Sequence, residues 1–298
     1  MSMRTPARTV AALAAAAIVL SSGCVTMIAS ETIEGEFERT LAVGGGTLAL
    51  DVRTGSGRIE VVTGEPGVAR VTGRIRGRAG GWSGGNRAEV ESRVRAIEAD
   101  PPIELDADQL RVGRLDRSLR RHISISYQVV VPPDSTVEAR TGSGGLRVEG
   151  VAGTVEARTG SGEARVADVA GDVTARTGSG SIELTAVGGD VNARTGSGSI
   201  RIDGIEAGLN ARTGSGGIRV EGFPGGGWNL DTGSGSIRVD LPDDAAFEID
   251  ARTGSGSVRT DHPVTVDGEM RRGRLLGAVR GGGPRLTLRT GSGGITVE

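Results

Sequence analysis

The chain contains no lysine: all 35 of its basic residues are arginine, set against 37 acids for a net charge of −2. A phosphate-cradling Gly-Lys-Ser/Thr loop is therefore ruled out. So weak a net charge gives no general pull toward nucleic acid. There is one cysteine, Cys24, so no internal disulfide can form. The two histidines, His122 and His262, have no partner at metal-ligand spacing, and no zinc site or cofactor is expected. Each reads as a surface or edge residue. Aromatic residues make up 2% of the chain, too few for a broad globular core. The apolar stretch Thr9–Leu20 has 12 residues, well short of the about 20 that cross a bilayer.

What the chain does have is repetition. Thr-Gly-Ser-Gly occurs nine times, at Thr54, Thr141, Thr159, Thr177, Thr195, Thr213, Thr232, Thr253 and Thr290. Successive steps are 87, 18, 18, 18, 18, 19, 21 and 37 residues. A fixed period of this size marks stacked repeats. In the copy at 172–189, Val173 and Ala175 alternate with Thr174 and Arg176 before the motif. Ile182 and Leu184 alternate with Glu183 and Thr185 after it. This is the pattern of two short strands with one buried face each. The glycines are expected to turn the chain through backbone angles closed to other residues. Those of the regular copies are Gly142, Gly144, Gly160, Gly162, Gly178, Gly180, Gly196, Gly198, Gly214 and Gly216.

One such unit buries too little apolar surface to offset the entropy of ordering it, so neighbours must share a core. A parallel stack of coils and an antiparallel meander would both do this. The column Leu146, Ala164, Ile182, Ile200, Ile218, Ile237, Val258, Ile295 favours the stack, where like residues meet like. The expected fold is all-β: a parallel β-solenoid of about 18-residue, two-strand coils, with an N-terminal β-rich cap carrying one short helix.

The N-terminus carries an address. Arg4 and Arg8, the apolar run, and Ser21-Ser22-Gly23-Cys24 follow the plan of an export signal. Cys24 lies where a bacterial lipoprotein would be lipidated, although Leu20 is four rather than three residues before it. Val25 is not the aspartate associated with inner-membrane retention. The reading is a signal over 1–23, a linker over 24–34 and a membrane partner reached through a lipid anchor, at the outer membrane or cell surface. Residues 35–136 form the β-rich cap. Asn86–Ala99 reads as a helix with Val90, Val94 and Ile97 on one face, Asn86 as its cap, Glu89 completing a capping box, and Pro101-Pro102 after it. His122–Val131 reads as a strand. Residues 137–298 form the solenoid, with an inserted loop at about 261–284.

Three segments resemble the DUF4097 group of bacterial β-repeat proteins, often labelled adhesins. They are Ala-Arg-Thr-Gly-Ser-Gly-Ser-Ile-Arg-Ile at 193–202, with a variant at 251–260; Tyr-Gln-Val-Val-Val-Pro-Pro-Asp at 127–134; and the tail Gly281–Gly293. The likeness covers roughly 35–298. It implies a solenoid-like fold in an exported, envelope-associated protein and brings no catalytic or binding residues with it.

Catalytic readings of the motif fail on chemistry. A hydrolase elbow needs Gly-x-Ser-x-Gly before a helix, and here threonine stands two before each serine. Gly188-Gly189-Asp190 is an isolated fragment of a calcium-roll repeat. The acids Glu183, Asp203, Glu221, Asp240 and Asp261 read as scattered outward residues, each beside arginines. The functional lead is the series Arg140, Arg158, Arg176, Arg194, Arg212, one before each successive motif. Stacked arginines at about 4.8 Å repel by about 1 kcal/mol per neighbour in water. They need acids, as Glu138 and Glu156 provide for the first two, or an anionic guest. Either they are a structural column bonding corner carbonyls, or they are a stripe for an anionic glycan or envelope polymer. The resulting expectation is a non-enzymatic, envelope-anchored interaction surface. The alternatives are a self-assembling scaffold, through homo-oligomers, and a carbohydrate-active β-helix enzyme.

Overall fold

The computed structural model describes residues 31–80, 84–266 and 273–298. Cys24, the expected export signal and most of the expected linker lie outside the described residues. In chain order the elements are β1 (Glu31–Ala42), β2 (Ala49–Thr54), β3 (Ile59–Thr63), β4 (Val68–Ala79), helix α1 (Arg87–Ala99), β5 (Ile103–Asp106), β6 (Gln109–Val112), the single turn α2 (Arg117–Arg120) and β7 (Ile123–Val131). The repeats supply β8 (Thr136–Thr141), β9 (Leu146–Glu149), β10 (Val155–Thr159), β11 (Ala164–Val169), β12 (Val173–Thr177), β13 (Ile182–Val187), β14 (Val191–Thr195), β15 (Ile200–Ile205), β16 (Leu209–Thr213), β17 (Ile218–Gly222), β18 (Trp228–Thr232) and β19 (Ile237–Asp240). The C-terminal part adds β20 (Phe247–Thr253), β21 (Val258–Thr260), β22 (Val264–Val266), β23 (Arg274–Val279), β24 (Arg285–Thr290) and β25 (Ile295–Val297).

Each repeat folds as its alternation dictates. In β12, residues 173, 175 and 177 are buried while Thr174 and Arg176 are half-buried. The strand before the motif joins a 13-stranded front sheet, and the strand after it joins a 12-stranded back sheet. From β8 to β19 every neighbour within a sheet is parallel and one repeat away. Val155 pairs with Val173 and Ala157 with Ala175 in front; Ile182 pairs with Ile200 behind. The expected apolar column is therefore a real ladder. Fully buried alanines of the front sheet (Ala139, Ala157, Ala175, Ala193, Ala211) share one continuous core with the bulkier Ile182, Leu184, Ile200 and Ile202 of the back sheet. The 19-residue step brings Trp228 into this core, with its indole N–H donating to Ala207 O at 2.9 Å.

The turn between the sheets is also stacked. All nine motif threonines donate their hydroxyl to a carbonyl in the adjacent coil, as Thr177 does to Gly162 O at 3.1 Å and Thr195 to Gly180 O at 2.8 Å. Within its own turn the Thr177 oxygen accepts from Gly180 N–H at 3.0 Å. One hydroxyl thus closes the turn and joins it to its neighbour.

The glycines serve a different purpose from the expected one. None of the ten motif glycines named above adopts a positive φ. What they share is proximity: a Cβ on Gly180 would lie 1.8 Å from Gly162 O, and one on Gly178 would lie 2.4 Å from Gly160 O. Backbone rests on backbone at this corner, and any side chain would hold the coils apart.

The ends depart from linear stacking. The coil β2–β3 lies between β6–β7 and β8–β9, and the coil β24–β25 lies between β18–β19 and β20–β21. The motif threonines therefore stack in the order 54, 141, 159, 177, 195, 213, 232, 290, 253. The 87-residue step is one layer in space. At the N-terminal end β7 joins β3 in parallel, β4 and β1 then extend the back sheet antiparallel, and α1 lies on β1 and β4 with Val90, Val94 and Ile97 buried. Asn86 caps the helix by accepting from Ala88 N–H at 3.0 Å, while Glu89 turns to Arg93 instead of completing a capping box. The segment read as an inserted loop at about 261–284 contains β22 and β23, which pair antiparallel and extend the front sheet beyond β20.

A paired substitution tests the stacking role of glycine. Gly178→Ala is expected to cost about 1–3 kcal/mol of stability in denaturant unfolding. Gly55→Ala occupies the same motif position in the first copy, where a Cβ meets nothing within 4 Å, and is expected to be far milder. Equal losses at the two sites would mean that glycine acts through backbone freedom instead.

Candidate functional site

The five predicted arginines lie side by side. Arg140, Arg158, Arg176, Arg194 and Arg212 are successive rungs on the outer face of the front sheet. Arg53 extends the column at one end. At the other end Asp231 interrupts it, and Arg289 and Arg252 resume it.

The column divides by its neutralising partners. Arg140 and Arg158 pair with Glu138 and Glu156 two residues earlier on their own strands. Arg176, expected to lack an acid, reaches back one coil to Glu156 at 3.5 Å. Arg194 and Arg212 make no ion pair with any described residue. They are exposed, whereas the first three are half-buried. Beside them in register stand Asn192 and Asn210, whose side-chain oxygens are buried and bond to no described group. Neutral amides replace the glutamates at the rungs where the arginines are unpaired. From Arg53 to Arg212 the front face thus grades from internally neutral to unpaired cation, and Asp231 ends the gradient at the next rung.

The neutral end is held more tightly than the sequence suggests. Asp51, 7% exposed, lies between Arg53 (2.7 Å) and Arg114 (2.8 Å). Burial alone would raise its carboxyl pKa, but hydrogen bonds from Arg53 and Arg114 and their charges outweigh it and hold the carboxyl below its ordinary value. The Arg53 guanidinium is raised in turn, chiefly by its hydrogen bond to Asp51.

A second arginine column, on the back sheet, carried no signal when each repeat was read alone. Arg147, Arg165, Arg201, Arg219 and Arg238 share one outward position, with Glu183 in the middle. The acids Asp203, Glu221 and Asp240 are not scattered but stack in the adjacent column. Most of these arginines are matched: Arg165 to Glu183 at 2.9 Å, Arg219 to Asp240 at 2.7 Å, Arg147 to Glu149 at 2.6 Å. The back face is an ion-pair lattice.

The histidines separate. His122 lies at the start of β7 with φ 63°. His262, expected at a surface or edge, is 8% exposed and sets its ring edge-on to Phe247 at 5.5 Å. Among the described residues no three His, Cys, Asp or Glu side chains gather to hold a metal, and no helix is long and apolar enough to cross a membrane.

Residues 119–298 match the family described as Toastrack DUF4097. The chain belongs to that family. The match begins later than the motif likeness, yet the β2–β3 coil outside it stacks on the Toastrack coils in the same register. No curated protein matches the chain. Among solved structures, a candidate adhesin from Bacteroides fragilis NCTC 9343 is similar over 89% of this chain and 97% of its own, at 12% identity and a TM-score of 0.48. A candidate cell adhesion protein from Clostridium sporogenes ATCC 15579 covers 89% of this chain and 99% of its own, at 13% identity and a TM-score of 0.25.

Asp51 yields a pH signature. A carboxyl whose pKa is lowered by folding contributes stability above its unfolded pKa of about 4, and that stability is lost as pH falls through the folded value. Asp51→Asn is expected to lower the melting temperature at pH 7 and to flatten the wild-type decline below about pH 4. A melting series from neutral to acid pH that stays parallel for the two proteins would contradict this assignment.

Proposed function

We propose that this Toastrack chain is a non-enzymatic, adhesin-like binding rod of the bacterial envelope, tethered through Cys24, whose front face holds an anionic glycan or other envelope polymer. The observation that carries this reading is the pair Arg194 and Arg212: stacked, exposed, without carboxylate partners and flanked by neutral asparagines. A column of like charge one strand spacing apart favours a ligand whose own charges run along the stack. Arg176, loosely paired at 3.5 Å, extends the stripe to three rungs. Guanidiniums suit carboxylate, sulfate and phosphate esters through paired N–H donors.

The back face supports the same division of labour, since its arginines are largely matched by acids and offer little to an external anion. A scaffold built by end-to-end stacking is the weaker reading. Both ends carry antiparallel strands that break the parallel repeat, at β1–β4–β7 and at β20–β23–β22.

Replacing Arg176, Arg194 and Arg212 together by Gln is expected to abolish most binding to acidic polysaccharides on a glycan array, and wild-type binding should weaken steeply with salt. Binding that is salt-independent and unchanged in the triple variant would refute the stripe. For the tether, radiolabelled palmitate should enter the wild-type protein and send it to the membrane fraction, while Cys24→Ala remains unlabelled and soluble. Equal partition of the two would remove the anchor from this reading.

A further inference from the structure

The outer face of the back sheet changes character where the antiparallel cap meets the first coils. A cavity of about 470 Å³ opens there over β4, β7 and β3. Strand register explains it. Ser126 of β7 lies opposite Arg74 of β4, and Ser124 lies opposite Arg76. On the far side, Ile59 pairs with Tyr127, which brings Arg58 alongside Ser126; Arg58 N–H donates to Ser126 Oγ at 3.2 Å. Ser126 therefore forms a small floor between Arg58, Arg74 and Arg76, and Ser124 continues it into the neighbouring hollow.

These arginines differ from those of the ion-pair lattice farther along the sheet. Arg58 makes no ion pair with any described residue. Arg74 and Arg76 reach Glu36 and Glu34 only at 3.5 Å, and their side chains are 77% and 73% exposed. None is locked in place, so each can swing over the floor. Ser126 Oγ already accepts one backbone hydrogen bond, which leaves its own proton to donate. Thr72, Gln128 and Glu60 add neutral and acidic hydrogen-bonding groups to the lining. An adjoining hollow of about 780 Å³, which shares Ser56 and Arg76, prolongs the groove toward Arg78 and His122.

We infer that this hollow is a binding site for a single carboxylate-bearing sugar unit, separate from the front-sheet stripe. The carboxylate meets the Arg58 and Arg74 guanidiniums, a geometry suited to paired N–H donors. The ring hydroxyls meet Ser126, Thr72, Gln128 and Glu60. The Glu60 carboxylate accepts from hydroxyls but repels additional negative charge, which selects a singly charged polyhydroxyl group over phosphate. The volume lies within the range of small-ligand sites. This inference uses no residue of the front sheet and stands whether or not the stripe binds polymer.

The test is an NMR titration of the full chain with sodium glucuronate, with glucose and inorganic phosphate as comparison probes. Glucuronate is expected to saturate and to bind more tightly than either. Arg58→Gln combined with Arg74→Gln should weaken it by about tenfold or more without changing the melting temperature, and Arg58→Lys should retain part of the affinity. Arg194→Gln with Arg212→Gln should leave it unchanged. The site is overturned if glucuronate does not saturate, if phosphate binds as tightly, if the Arg58 and Arg74 variant binds normally, or if the front-sheet variant is the one that loses binding.

Discussion

The contact on which the molecule depends is backbone resting on backbone at the Thr-Gly-Ser-Gly corner. There the second glycine of each motif lies so close to a carbonyl of the next coil that a Cβ would sit 1.8–2.0 Å from its oxygen in every copy. The threonine hydroxyl spans the same junction, donating to that layer while closing its own turn. A buried hydroxyl with both partners satisfied contributes modestly; one left unsatisfied costs considerably more. Repeating this junction nine times sets the layer spacing for both sheets. Regular spacing in turn allows narrow alanine-lined strands to face isoleucine and leucine in a thin core with few aromatics.

A stack of identical layers has two open ends, and the chain deals with both by threading out of order. At each end one coil sits in a layer that its place in the sequence does not give it. The β2–β3 coil is held between β6–β7 and β8–β9, and the C-terminal β24–β25 coil between β18–β19 and β20–β21. Each cap is thus tied to the repeats by strands that sequence places far away, as when Thr54 pairs with Thr141. Open sheet edges invite pairing with other chains, and charges on the edge strand limit it. The charges on β1 serve the same end: Glu34, Glu36 and Glu38 face Arg76, Arg74 and Arg70.

Stacking also turns single residues into columns. On the back sheet most arginines are matched by acids, with Arg201 and the arginines of the serine-floored hollow beside the cap as exceptions. On the front sheet the glutamates stop after Glu156, and Thr174, then Asn192 and Asn210, follow in the same column. The same lattice that stabilises one stretch of surface thereby leaves another with unpaired cations. Function is proposed where the pattern of compensation ends, because an unpaired charge column is the feature that structure alone does not account for.

The repeat, its period and the strand faces were legible in the sequence, because alternation and like-on-like columns are local consequences of a pleated backbone. The front-sheet arginine column followed from the same arithmetic, as did α1 from the spacing of Val90, Val94 and Ile97. The role of glycine was not legible, since nothing local separates a residue that needs unusual angles from one that needs no side chain. Nor were the order of the end coils, the burial of His262, or the reach of Arg176 to Glu156. Each depends on which distant strand lies alongside, and only the closed, layered core decides that.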